Sequence, residues 1–501
     1  MRTGRSRSAF HAADGLVCVL CAVLMAWVVN WGCFQVQAGQ AKPDVAETTR
    51  SEPVREWLEI FMGVEKVGYV ARRVVPVGRG VLINEEILLK LSLMDVPVST
   101  FTRTQCLMDE QFQLKRFHVA IDSGGARFKV SGETEEGWIR VEKGEGDARR
   151  YHRIKMAGPA VIPAAIPEFF KGRRLRKGQS FAFSMLDPAT LTQRAVAIHV
   201  RGRELVEINE ARVSAFRLES EVMGHRITSW LDDSGSVLRE EGFMGLTLVR
   251  SSEGQALGGT AMGGMVDLYD LAAVTVDKPL KDPSNVGYLK LRVKGLTGTP
   301  FDRGRLQGDR QKFRDDIIEI RKEPLPRSAG FVIPFKRPGE MRDQLSPELN
   351  IESDDEAVVK TASNIAEGQT DPIEVSRKLV TWVHDHIEKR PVVSVPSAVE
   401  VLRTRTGDCN EHATLLTALL RAVGIPSRVS VGLVSFREKF YYHAWTEAFL
   451  GRWVSMDATL NQMPTDATHV RLATGGLDRQ MDIIGLIGKL RLEVMDVAYL
   501  K

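Results

Sequence analysis

The chain has 501 residues, 43% apolar and 26% charged, with 68 basic and 64 acidic side chains leaving a net charge of +4. That length exceeds what one hydrophobic core organises, so two or three domains are expected, with the composition of a soluble globular protein. The near-balanced charge gives no clustered basic surface of the kind nucleic acid requires. One basic stretch, Lys171-Gly172-Arg173-Arg174-Leu175-Arg176-Lys177, reads as a solvated turn.

At the N-terminus, Arg2, Arg5 and Arg7 precede an apolar run from Gly15 to Val29, and Val36-Gln37-Ala38 stands before Gly39. A basic start, an apolar run and small residues at a cleavage point describe a secretory signal peptide over residues 1–38. The run extended over residues 15–34 is also just long enough for a membrane anchor. Cys33 follows Gly32 as in a lipid-modified leader, but Asn30 and Trp31 stand where small or aliphatic residues belong. The expected location is therefore exported, periplasmic or cell envelope. Cys18, Cys21 and Cys33 fall in this segment, which leaves Cys106 and Cys409 and no disulfide framework.

Residues 39–52 are polar and read as a linker. From 56 to 250 the chain reads as a β-rich domain of short alternating runs, such as Trp57 to Met62, Trp138 to Val141 and Arg226 to Leu231. Asp122-Ser123-Gly124-Gly125 and Asp232-Asp233-Ser234-Gly235 are hairpin signals. A large antiparallel sheet, curved or closed to a half-barrel, is expected. Ala157 to Pro167 reads as an irregular crossing loop, and Gly254 to Gly264 as a flexible break. Residues 267–323 read as a further small β segment, before a proline-rich passage from Pro324 to Pro347.

Residues 345–501 mix helix and strand. Glu356 to Ala366 and Pro372 to Lys389 read as helices. On the second, Val375, Leu379, Trp382 and His386 share a face, so His386 is expected in the core. His384, two residues earlier, points elsewhere, so the pair is no metal site. A third helix runs from Cys409 to Val423, with Asp408 as its N-cap and Gly424 as its stop before Pro426. A thiol at a helix start feels positive partial charge, which favours thiolate over a free thiol's pKa of about 8.5. The unpaired N–H groups there can hold an oxyanion.

Strand signals follow at Val429 to Leu433, then at Tyr441 to Leu450 and Trp453 to Thr459 around Gly451-Arg452. His443 can act as a base for Cys409, with Asp457 orienting it, if both side chains share one face of the sheet. A strict two-residue turn would pair Leu450 with Trp453 and place them on opposite faces. A longer connection pairing Phe449 with Trp453 restores the shared face, and that register is expected. His412, one turn beyond Cys409, is the competing base but lacks a carboxylate partner. Cys409-x-x-His412 is half a zinc knuckle without a second ligand pair, so no metal is expected.

Gly-Asp-Cys-Asn-Glu-His-Ala at 407–413, Leu-Leu-Arg-Ala-Val-Gly-Ile-Pro-Ser-Arg at 419–428, His-Ala-Trp-Thr-Glu at 443–447 and Asp-Ala-Thr at 457–459 resemble the bacterial transglutaminase-like core. The resemblance covers about Asp355 to Asp466. It implies an α+β, papain-like catalytic domain with Cys409 as nucleophile, His443 as base and acid, and Asp457 as orienting residue. Ala458 departs from the proline of many relatives. No cofactor is implied, and no calcium-loop motif is present. The expected activity is that of a thiol enzyme on amide bonds of peptides or proteins, hydrolysis being favoured over transamidation. The alternative is a non-catalytic peptide-binding module of the cell envelope with the same fold.

Overall fold

The structure, a computed structural model, describes residues 54–500 except 124–125, 145–148, 260–266, 300, 393–394 and 477–479. The expected signal segment and the linker after it lie outside the described residues. Two compact units are present, one of 54–92 with 97–259, the other of Leu93–Val96 with 267–500. Among the described residues no helix is long and apolar enough to cross a membrane.

The first unit is built on one 15-stranded sheet. From the edge strand Arg150–Lys155 it runs back by successive neighbours to Val54–Met62, which pairs antiparallel with Leu246–Ser251. From there it continues to Ser180–Leu186 and the short parallel edge strand Ala160–Val161. The two edge strands do not pair with each other, so the large antiparallel sheet is open and forms no closed barrel. Alternation explains its single apolar face: in Gly80–Leu93, Ile83, Ile87, Leu89 and Leu91 are buried between less buried neighbours.

Three loop expectations are corrected here. Ala157 to Pro167 is not irregular throughout, because it contains the edge strand, a 3-10 turn at Pro163–Ala165 and the start of the helix Ile166–Phe170. Phe169 and Phe170 of that helix meet Phe181 and Phe183 edge-on, so the prolines direct a core-filling segment. Lys171 is no solvated residue. Its ammonium is buried between Glu56 (2.6 Å) and Glu168 (3.0 Å), which compensate a charge that burial would otherwise forbid. The flexible break begins as a helix, Glu253–Leu257, closed by a capping box in which Ser252 and Gln255 bond reciprocally. Residues 260–264 of that break lie outside the described residues.

Besides a two-stranded parallel pair, Glu388–Lys389 with Thr406–Gly407, the second unit contains two larger sheets. The 267–323 segment supplies Thr275–Val276, Val286–Lys294, Gln311–Arg314 and Ile317–Arg321 to a 5-stranded sheet. Its remaining strand is Arg491–Tyr499, close to the end of the chain and paired along Val286–Lys294. The other sheet has 4 strands in the order Trp453–Met456, Lys439–Phe449, Ser427–Phe436, Val470–Thr474, all antiparallel. Helices Glu356–Ala366, Pro372–His386 and Ala398–Thr404 surround a helix Cys409–Ala422 that packs on this sheet. That last helix is buried on every side from Cys409 to Arg421, as expected of one enclosed by helices and sheet together.

His386 is exposed, against expectation, and stacks on Trp382 at 4.5 Å. The buried face instead runs through Val375, Ser376, Leu379, Val380 and Val383. From Leu379 the core stripe steps by four to Val383, and Trp382 lies at its margin.

Gly432 stands opposite His443 in the sheet register. A Cβ there would lie 1.9 Å from the Val470 carbonyl oxygen, a backbone atom that no rotamer change can clear. Gly432→Ala is therefore expected to destabilise the unit by about 2 kcal/mol or more, the range of severe backbone and overpacking effects. Urea denaturation showing a change below about 0.5 kcal/mol would contradict this close approach.

Candidate active site

The helix Cys409–Ala422 begins where its sequence demands. Asp408 has extended backbone angles, and its carboxylate accepts from the Asn410 N–H at 3.1 Å. Glu411 folds back to accept from the Asp408 N–H at 3.1 Å, completing a capping box. Cys409 is thus the first helical residue, with the thiol wholly buried at the positive end of the helix dipole. Thr446 ties this helix to the sheet, its hydroxyl donating to the Ala413 carbonyl at 3.1 Å.

The hairpin carrying the other two residues has the longer connection. Phe449 pairs with Trp453 and Thr446 with Met456, which brings Asp457 to the face of His443. His443 Nε2 lies 2.7 Å from Asp457 Oδ2. Nδ1, which has no hydrogen-bond partner among the described residues, is the nitrogen left for the Cys409 thiol, whose charge acts on the ring. Burial pulls the His443 pKa down, but the charges of Asp457 and Cys409 outweigh it and hold the ring up at about 10. Burial is the largest single influence on Asp457 and pushes it up, but His443 and His469 together outweigh it, so its carboxylate stays well below the usual range.

Two residues that the sequence reading passed over complete the cluster. His469 Nε2 lies 3.1 Å from the same Asp457 Oδ2, and its Nδ1 lies 3.2 Å from Asp466 Oδ1. Facing carboxylates on both sides, the ring is held as an imidazolium: burial lowers its pKa, but Asp466 and Asp457 raise it further. Asp457 Oδ1 meanwhile accepts from the Thr459 N–H at 2.7 Å, and Asp466 Oδ1 from the Thr468 N–H at 2.8 Å. The signal for this was present in the sequence. Asp-Ala-Thr occurs at 457–459 and again at 466–468, and both copies fold into the same aspartate-capped turn.

His443, Asp457 and His469 place ligand-type atoms within 4.8 Å of one another, a spacing that a cation could also use. Both Nε2 atoms are directed at one carboxylate oxygen at hydrogen-bond distances, so the arrangement fits protons held between these groups.

His412 is not part of this chain of contacts. Its Nδ1 faces the Asp408 carbonyl at 2.7 Å, and burial pushes its pKa down to about 4, so it is neutral at physiological pH. His384 reaches the Ala458 carbonyl at 3.0 Å, bracing the chain just after Asp457. Cys106 lies in the first unit, in no disulfide with Cys409, and burial pushes its thiol far up. A cavity of about 710 Å³ in the second unit does not contain the thiol. It is lined by Arg310, Glu323, Arg428, Glu447 and Arg471, among others, and these charges pair largely with one another.

Residues 359–458 match the transglutaminase-like superfamily. The chain carries a transglutaminase-like domain in its C-terminal third. At superfamily level this domain supports a thiol enzyme. No curated protein matches the chain. Among solved structures, a "putative cysteine protease" from Cytophaga hutchinsonii is 17% identical, with 43% of this chain and 88% of that one covered at a TM-score of 0.27. A β-barrel-like protein of a domain of unknown function from Brucella abortus is 12% identical, covering 40% and 96%, with a TM-score of 0.30. A "putative protease" from Parabacteroides distasonis is 12% identical, covering 69% of each chain, with a TM-score of 0.20. Superpositions this loose leave the reading to the superfamily match and the geometry of the transglutaminase-like site.

His469→Leu would strand two buried carboxylates without their shared cation. A loss of about 3–5 kcal/mol is expected, as for one partner removed from a buried ion pair. His469→Gln, which keeps a donor toward Asp457, should lose markedly less. Equal stability of the two variants in urea denaturation would show that the imidazolium is not what holds these groups.

His412 gives a pH dependence of known sign. Its folded pKa of about 4 lies below the unfolded value, so the unfolded chain binds the extra proton first as pH falls. This residue's contribution is intact above about pH 6.5 and lost progressively toward pH 4, by up to about 3 kcal/mol. Chemical denaturation of wild type and His412→Gln across pH 7 to 4 reads it out: the wild type should lose more stability over that interval. Parallel curves would refute it.

Proposed function

We propose that the protein is an exported thiol enzyme that cleaves amide bonds of peptides or proteins through an acyl-enzyme on Cys409. The observation that carries this reading is the buried Cys409–His443–Asp457 alignment at a helix N-terminus. In the acylation step, Cys409 Sγ attacks the amide carbon, its proton having passed to His443 Nδ1, and the carbonyl π pair moves to oxygen. Collapse breaks the C–N bond, and the leaving amine takes the proton from His443. Water, deprotonated by His443, then attacks the thioester and releases the carboxylic acid and the thiol. Asp457 keeps the imidazole oriented and stabilises its charged form. An amine in place of water would give transamidation. Hydrolysis is preferred because water is always available and no amine pocket is evident. No cofactor enters the scheme. The substrate is drawn from the cell envelope, reached through export directed by residues 1–38, with membrane association through residues 15–34 as the alternative, and no role for nucleic acid.

One observation favours the second reading, a peptide-binding module without turnover: Cys409 and His443 expose none of their surface. Alkylation with iodoacetamide across pH separates the two readings. An active thiol–imidazole pair should be alkylated well below pH 8.5, with the profile of His443→Ala displaced upward toward that of a free thiol at about 8.5. A wild-type profile already at the free-thiol position, unmoved by His443→Ala, would sink the enzyme reading, and so would a thiol that never reacts. Cleavage of a peptide library by wild type and not by Cys409→Ala would identify the substrate class.

A further inference from the structure

The second unit opens with a segment whose role no motif discloses. Its short helix Leu268–Ala272 is capped by Asp267, whose side chain accepts from the Tyr269 N–H at 2.8 Å. Val274 then pairs with Phe440, with N–H to carbonyl bonds of 2.7 Å and 3.0 Å in the two directions. Asp270 meets Lys439 at 2.8 Å. These contacts fix the segment along the start of the strand Lys439–Phe449, which carries His443. The Tyr269 ring lies flat on Tyr441, with centroids 3.9 Å apart and planes 10° from parallel.

Alternation along the strand puts Tyr441, His443 and Trp445 on one side, and the rings of His443 and Trp445 also stack. Tyr269 is therefore laid over the side of the strand that faces the reaction. Only 7% of its surface is exposed, and its hydroxyl is buried without a hydrogen-bond partner among the described residues. A buried phenol oxygen finds a partner in nearly every folded protein, because leaving it unsatisfied is costly. Burial raises its pKa well above the ordinary value, and the neighbouring charges of Tyr441 and Cys409 add to this, so the group stays protonated and within electrostatic range of the thiol. It is a neutral donor with nothing to donate to in the resting enzyme.

We infer that the Tyr269 hydroxyl is a further catalytic group, donating a hydrogen bond to the negative charge that develops beside Cys409, on the carbonyl oxygen of the tetrahedral adduct. The Cys409 N–H, at the first helical position, is the complementary donor. No proton is transferred by Tyr269. Its O–H bond is kept throughout, and the hydrogen bond is released when the adduct collapses to the thioester. This assignment rests on the acyl-transfer reading of the same site.

Tyr269→Phe tests it, since the variant keeps the ring stack and removes only the oxygen. Loss of an oxyanion donor predicts a fall in kcat of about 10²-fold on a cleaved peptide, with KM nearly unchanged. The melting temperature should hold or rise, because an unsatisfied polar atom has been removed. Iodoacetamide alkylation of Cys409, which forms no oxyanion, should keep wild-type reactivity to within a few-fold. An unchanged kcat would overturn the inference, and so would an increased kcat, which would make the hydroxyl an obstruction. A fall in kcat matched by a fall in melting temperature would likewise assign it to packing. If the wild-type thiol itself fails to react, it is the acyl-transfer reading that falls, and the two failures are distinct.

Discussion

The site is organised around a single oxygen atom. Asp457 Oδ2 receives His443 from one side at 2.7 Å and His469 from the other at 3.1 Å. Its second oxygen is held by the Thr459 and Leu460 N–H groups at 2.7 and 3.2 Å. A carboxylate with this many donors stays ionised although almost none of its surface is exposed, and the ionised form is what keeps His443 charged. Each buried charge would be costly alone, several kcal/mol by general experience, and each is acceptable because its neighbour carries the opposite sign. Acidic and basic groups alternate from Asp466 through His469 and Asp457 to His443, so removing either internal member leaves like or unpaired groups facing one another.

Chemistry carried by neighbouring residues was legible before the fold was known. Asp408 before Cys409, and the leucines after it, specify a capped and buried helix through local rules that need no knowledge of the surroundings. The strands of the first unit were similarly legible from alternation. What escaped depends on tertiary partners. Lys171 sits in a basic stretch and reads as exposed until Glu56, more than a hundred residues away, is placed beside it. Arg491–Tyr499 gives no sign in the sequence that it will pair with Val286–Lys294. Spacing alone places His386 in the core, whereas the buried stripe passes through Val383 and leaves Trp382 and His386 to stack at its edge. His469 is an intermediate case, because the repeated Asp-Ala-Thr marks its turn but only the fold turns that aspartate toward the first.

The two thiols show how environment decides reactivity. Cys106 and Cys409 are equally buried, and neither is in a disulfide. Cys106 lies within a strand, where burial and the nearby Glu85 carboxylate push the thiol up by more than the Arg72 guanidinium pulls it down. Cys409 instead stands at a helix N-terminus and acts by charge on the His443 ring, so its surroundings oppose the effect of burial.

The arrangement depends finally on the length of one loop. In a β-strand successive side chains alternate faces, so shortening the connection between Phe449 and Trp453 by a single residue would rotate Asp457 away from His443 while leaving both strands intact. The imidazole would lose its carboxylate and with it the charge that burial opposes. His469 would then face Asp466 alone. Stability and alignment are thus set by different features: the apolar residues of helix and sheet hold the domain together, whereas the connection Leu450-Gly451-Arg452 decides whether Asp457 meets His443.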